Sequence, residues 1–366
     1  MERAPKHYGW LVSPYSAKTR SYLRFRGDAF EDVVPGVWTL RTRIGKAVGR
    51  VIMPTVELPD GTWLQDSSVI IDHFEGLSGA TRITPSSPTQ RVASALLEVF
   101  ADEWLPMAAL HYRWNLPENA AFALAEFARS GLPLAPGWVG RRAVGGLARR
   151  MQSYLGVLGV TESTQGAIEE TVQLTLSALD TQLSQSPYVL GARPCMGDFA
   201  LYGPLWAHLY RDPASRTLFD DRPHVTRWMA RLTEGARVEG DFFAGDEVPS
   251  TLDPLFECVF VDQWAWLKTL VDAIDAYCAA HPDATRVPRS LGSAPFTVRG
   301  VSAQRKLATF VQWKAQRAER AYRAAGGEAD RWMGRVLARP DVSDIIPTIA
   351  HPFALSKFKA VLATAP

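Results

Sequence analysis

The sequence is poor in cysteine. Cys195, Cys258 and Cys278 are the only three in 366 residues. None lies in a Cys-x-x-Cys, and no Cys/His group has zinc-site spacing. A disulfide framework is excluded, and the odd count fits a reducing compartment. Charge of one sign is also lacking. The formal net charge is +2, which argues against a protein that holds nucleic acid by electrostatics. No run of about 18 apolar residues occurs, so no membrane span is expected. The opening "MERAPKHYGW" lacks the apolar core of a signal peptide. These absences predict a cytoplasmic protein with no nucleic-acid or membrane partner. Internal repeats and low-complexity tracts are missing too.

What is present is an ordinary globular balance, 47% hydrophobic and 21% charged, enough to bury a core. The length allows two domains or three. Twelve tryptophans predict aromatic-lined clefts or thick helix packing.

"YGWLV" (8–12) reads as a short buried strand. Ser13-Pro14-Tyr15-Ser16 follows, then a basic amphipathic stretch to Arg26, stopped by Gly27. A hydroxyl at such a handover is either a plain helix cap or part of an anion or thiolate site. "AFEDVV" (29–34) reads as a second strand, and 35–50, with four Gly or Pro, as a looser segment. "TVEL" and "TWL" flank Pro59-Asp60-Gly61 as a hairpin. Asp66 and Ser67 then begin a helix that ends near Gly76. This is a small α/β unit. Beyond a turn-rich linker at 79–88, strand signals nearly vanish and helical periodicity dominates. A weaker linker lies at 246–254. The last stretch reads as mostly helical, including "SAQRKLATFVQWKAQRAERAYRAA" (302–325), with a β-like insert, "APFTVRGV" (294–301). The predicted organisation is 1–80, 85–245 and 246–366.

Three segments carry a resemblance. "SPYSAKTRSYLRFRGDAFEDV", "MPTVELPDGTWLQDSSVIIDHFEG" and "SPYVLGARPCMGDFALYGPLWAHL" (186–209) resemble the glutathione transferase superfamily over roughly 8–80 and 165–235. The tail beyond 250 is similar to a subset of relatives with long C-terminal helical extensions. The resemblance implies an α/β thioredoxin-like N-terminal domain, then an all-α glutathione-transferase-like domain with a helical extension. It further implies glutathione as co-substrate, a small apolar electrophile as partner, and a homodimer.

On that resemblance, Ser13 matches the catalytic position of serine-type members. Met53 matches the residue whose backbone pairs with the cysteinyl part of glutathione, and Pro54 matches a cis-proline. Asp66 and Ser67 match the pair holding the γ-glutamyl end. A thiol with a pKa near 8.5 must be favoured as S⁻. A helix N-terminus and a hydroxyl donor both do this. Ser13 is the first candidate donor and Ser16 the second. Two departures stand out. Where relatives carry a lysine for the glycine carboxylate, Ile52 stands, with Arg50 two residues earlier as candidate substitute. Cys195 replaces the usual Ser or Thr three residues before Asp198, which is expected to cap its helix alone. Tyr15, Trp104, His111, Tyr112 and Trp114 form the candidate second-substrate pocket. The competing reading of that stretch is helix packing with Arg113 snorkelling to solvent. "ARRMQ" reads as a solvated helix face. Without a cysteine at position 13 or 16, a thiol-exchange reductase is disfavoured. A non-catalytic binding or scaffolding protein remains the alternative to a glutathione-using enzyme.

Overall fold

The computed structural model describes residues 3–77 and 82–363. Contacts divide the chain into two compact units. The first gathers residues 1–83, 109–154 and 198–239, and the second 84–108, 155–197 and 240–366.

The first unit holds a four-stranded sheet in the order β2-β1-β3-β4. Strand β1 (Lys6–Tyr8) leads to helix α1 (Pro14–Arg26), then β2 (Glu31–Val33), β3 (Thr55–Glu57), β4 (Trp63–Gln65) and helix α2 (Ser67–Glu75). β1 pairs parallel with β2 and antiparallel with β3, and β4 pairs antiparallel with β3. The β3–β4 turn forms where the sequence places it. Asp60 accepts from the Thr62 amide at 2.8 Å, and Gly61 takes φ 87°, which a side chain would resist. Strand β1 ends earlier than the apolar run suggests. From Gly9 onward the chain turns, with Ser13 N–H bonded to Trp10 C=O.

The segment 35–50 is not loose. Residues 37–48 are helical, with a five-residue π segment, Leu40–Ile44, at the centre. Leu40, Ile44 and Val48 are buried at helical spacing. The glycines in this segment mask that stripe.

The second unit is built on helices, among them Pro88–Val99, Gln165–Leu183, Trp264–Ala280 and Val311–Ala325. Trp264, Trp266 and Trp313 are buried in its core. Two β-hairpins interrupt the helices: Ser290–Val298 with Val301–Ala308, and Phe353–Ser356 with Lys359–Leu362. The first overturns the helical reading of 302–310. Residues 301–308 alternate, with Arg305 and Leu307 buried and Gln304 and Lys306 exposed, the period of a strand. A buried arginine in the apolar phase disguises it.

Candidate functional site

The register of the sheet defines one end of it. Tyr8 pairs with Val33 on one side and Thr55 on the other, and Thr55 pairs with Gln65. The turn after β1, the residues before β3 and the residue after β4 therefore share one end. These are Gly9–Ser13, Met53–Pro54 and Asp66, where sequence reasoning places the site.

Ser13 caps α1. Its backbone is extended (φ −95°, ψ 119°), its Oγ accepts the Ser16 N–H at 3.3 Å, and Pro14 opens the helix. A hydroxyl has one donor and two acceptor positions, so the cap leaves the Ser13 proton free to donate. The side chain is half-buried. Ser16 differs. Its Oγ is wholly buried without a hydrogen-bond partner, and a Cβ at Gly9 would lie 2.6 Å from it. Ser16 thus fills the space beneath the turn and, with no exposed hydroxyl, offers a ligand nothing in this structure.

The Met53–Pro54 bond is cis. Met53 Sδ accepts the Trp10 N–H at 3.3 Å, and the Trp10 indole donates to Pro35 C=O at 2.8 Å. These bonds tie the β1–α1 turn to the segment before β3. Asp66 caps α2, with Oδ1 accepting from Ser68 N–H at 2.9 Å. Its φ of 84° is left-handed, a conformation costing a non-glycine residue about 1–3 kcal/mol. Ser67 is buried at the first helical position. Arg50 Nη2 donates to Gln65 Oε1 at 2.5 Å, which holds a guanidinium at the end of β4 beside Asp66.

Two buried networks brace this end, and the sequence reading identified neither. Arg113 does not snorkel. It is buried and paired bidentately with Asp212, both bonds at 2.7 Å. It also donates to Ala207 C=O at 2.7 Å and to Val12 C=O at 2.9 Å. The last contact fixes the residue before Ser13. Burial pulls the guanidinium down and pushes the Asp212 carboxyl up, each opposed by the partner's charge. The fork geometry keeps the pair ionised. The second network centres on His7, which touches Asp32 through Nδ1 (3.0 Å) and Thr19 through Nε2 (2.7 Å). Arg20 Nε donates to the same carboxylate at 2.6 Å. Burial lowers the His7 pKa despite the bond to Asp32. Asp32 is held at about 2: burial alone would raise it, but bonds from His7 and Arg20 and the Arg20 charge prevail.

The aromatic candidates are packed tightly. His111, Tyr112 and Trp114 are buried in the first unit, with His111 Nδ1 2.8 Å from Asn115 Nδ2. Tyr15 is half-buried. Trp104 belongs to the second unit. It is fully buried, and Arg305 lies 4.9 Å from its ring centroid, so the ring has no face left for a ligand. Asp198 stands third in the helix Met196–Pro204 and accepts from the Trp228 indole at 2.9 Å. All three cysteines are buried, and none forms a disulfide. Among the described residues, no group of three or more His, Cys, Asp or Glu could hold a metal ion. None of the helices among them is long and apolar enough to cross a membrane.

A sheet of this topology, with a capped helix N-terminus at one end and a helical remainder, is a thioredoxin-like domain followed by a glutathione-transferase-type helical domain. Family models for the glutathione S-transferase N-terminal domain (residues 12–77) and C-terminal domain (residues 161–231) both match. Over these two segments the chain carries the N- and C-terminal domains of the glutathione transferase superfamily. Similar solved structures include the beta-etherase LigF from Sphingobium sp. strain SYK-6. That match has 17% identity and TM-score 0.44, covering 70% of this chain and 99% of that one. A glutathione S-transferase from Rhodospirillum rubrum has 14% identity and TM-score 0.43, covering 67% and 96%. One from Methylobacillus flagellatus, solved with glutathione bound, has 16% identity and TM-score 0.39, covering 64% and 100%. No curated protein matches the chain in sequence.

Proposed function

We propose that the protein uses glutathione as co-substrate, stabilises its thiolate, and delivers it to an apolar electrophile. The sheet register carries this reading, because it gathers Ser13, Met53–Pro54 and Asp66 at one end. In this reading the Ser13 hydroxyl keeps its cap bond and donates its proton to the sulfur, while the α1 N-terminus favours the negative charge. Asp66 takes the γ-glutamyl ammonium, and Ser67 takes the carboxylate at the start of α2. Met53 pairs with the cysteinyl backbone. Arg50, held by Gln65, takes the glycyl carboxylate. Rate enhancement then comes from thiolate stabilisation and proximity, not from a covalent enzyme intermediate.

The test is calorimetric titration of glutathione into the wild type and Ser13→Ala, with thiolate ultraviolet absorbance followed against pH. We expect the wild type to lower the bound thiol's pKa by about one to two pH units. Ser13→Ala should still bind but lose most of that lowering. No binding at millimolar glutathione would replace this reading with a non-catalytic one, in which Ser13 is only a cap.

A further inference from the structure

The net charge of +2 conceals strong segregation. Between Asp32 and Glu57 the chain has no acidic residue, and between Glu126 and Glu162 it has none either. These two segments meet in the first unit. A Cβ at Gly131 would lie 3.1 Å from the Val37 side chain, and one at Gly36 would lie 3.3 Å from the Gly131 carbonyl. Within a few residues of that contact, large apolar side chains stand in solvent: Val34 (48% exposed), Trp38 (79%), Leu134 (98%) and Trp138 (69%). Exposed basic side chains lie along the same two segments. The helix Gly137–Val157 buries Gly140, Val144 and Ala148 and exposes Arg141, Arg142, Arg149 and Arg150. Arg41 and Lys46 are exposed on the other segment. None of these six cations pairs with an acidic group among the described residues.

We infer that this face docks on an anionic phospholipid surface, with Leu134 and Trp138 entering the headgroup layer and the arginines meeting lipid phosphates. A basic helix with exposed apolar residues beside it is the pattern of interfacial binding. Each arginine near an anionic bilayer strengthens partition about fivefold. Other occupants fit less well. A second copy would meet the face with the same positive charge in a two-fold contact. Nucleic acid would neutralise the arginines but gain nothing from Val34 or Leu134. A groove-forming protein partner suits a recessed anchor, whereas a side chain as exposed as Leu134 protrudes. The contact is peripheral, consistent with the lack of a spanning helix among the described residues.

The test is co-sedimentation of the full chain with vesicles of phosphatidylcholine alone, or phosphatidylcholine mixed with phosphatidylglycerol. We expect pelleting only with the anionic vesicles, weakening as salt rises. The quadruple change Arg141→Gln, Arg142→Gln, Arg149→Gln and Arg150→Gln should lower partition by a hundredfold or more, at about fivefold per arginine. Leu134→Ser, alone or with Trp138→Ser, should weaken binding while leaving its salt dependence intact. All these positions are exposed, so unchanged circular dichroism will show the fold is retained. Equal pelleting on neutral vesicles, or none on either, would overturn the inference. So would anionic binding that survives both sets of variants. A doubling of mass without vesicles, abolished by the quadruple change, would assign the face to a second copy instead.

Discussion

The two units each bury an arginine, and they do it differently. In the first, Arg113 lies against Asp212 in a bidentate pair and donates to two carbonyls. In the second, Arg305 lies 4.4 Å from the Trp266 ring centroid and 4.9 Å from that of Trp104, with Phe296 at 5.8 Å. Its Nη2 donates to Glu103 C=O at 2.7 Å, and no carboxylate among the described residues forms a salt bridge with it. Burial pulls its pKa down to about 10, against the weaker pull of Glu103. One cation is neutralised by an opposite charge, the other solvated by ring faces. Paired fork bonds confer geometry, and the first arginine spends part of that geometry on Val12. Ring faces accept a cation over a range of positions. The unit that holds the candidate site has the directional solution.

The comparison breaks most readily at Arg113. Arg113→Met strands the Asp212 charge in the interior and should cost about 3–5 kcal/mol in chemical denaturation. The double variant Arg113→Met/Asp212→Leu should recover much of that stability but not glutathione binding, because Val12 remains unpinned. Recovery of both would reduce Arg113 to a packing residue. Next is Gly9→Ala. The added methyl meets Ser16 at 2.6 Å, close to the α1 backbone, and should cost about 1–3 kcal/mol by overpacking. Arg305→Met should cost less, about 1 kcal/mol or less, since no partner charge is stranded. A loss equal to that of Arg113→Met would refute the contrast between the two arginines.

The smallest expected effect is in acid. Asp32 is held at about 2, against 3.8 ordinarily, so its contribution is complete above about pH 4 and lost as pH falls toward 2. His7 is depressed below 6.5, so its contribution is full above that pH and is lost on acidification. Asp32→Asn should flatten the acid limb of a melting-temperature profile between about pH 4 and 2. An unchanged limb would show that other carboxylates control acid unfolding.

These networks mark the limit of what the sequence reveals. The cap at Ser13, the turn at Asp60-Gly61 and the Asp66–Ser67 helix start are legible because each is settled within a few residues. Arg113 and Asp212 stand 99 residues apart, and His7 and Asp32 stand 25 apart. No local pattern announces either pair, so Arg113 on a helix reads as a surface residue. The strand Val301–Ala308 is hidden for a related reason. Its alternation is regular, but a guanidinium occupies an inward position. Only the rings of Trp104, Trp266 and Phe296 make that tolerable, and two of them come from other parts of the sequence. Ser16 illustrates the converse. Local spacing places it in the first turn, but the absence of a side chain at Gly9 sets its burial.

The distribution of tryptophan also has an optical consequence. Trp104 and Trp266 are shielded from water, each with a cation held over its ring, while Trp38 and Trp138 stand largely in solvent. The chain thus carries two classes of natural fluorophore. The shielded class emits to the blue and resists collisional quenchers, and the solvent-facing class emits to the red and is readily quenched. Acrylamide can darken Trp38 and Trp138 while the buried rings of both units, among them Trp10, Trp228, Trp104 and Trp266, continue to emit.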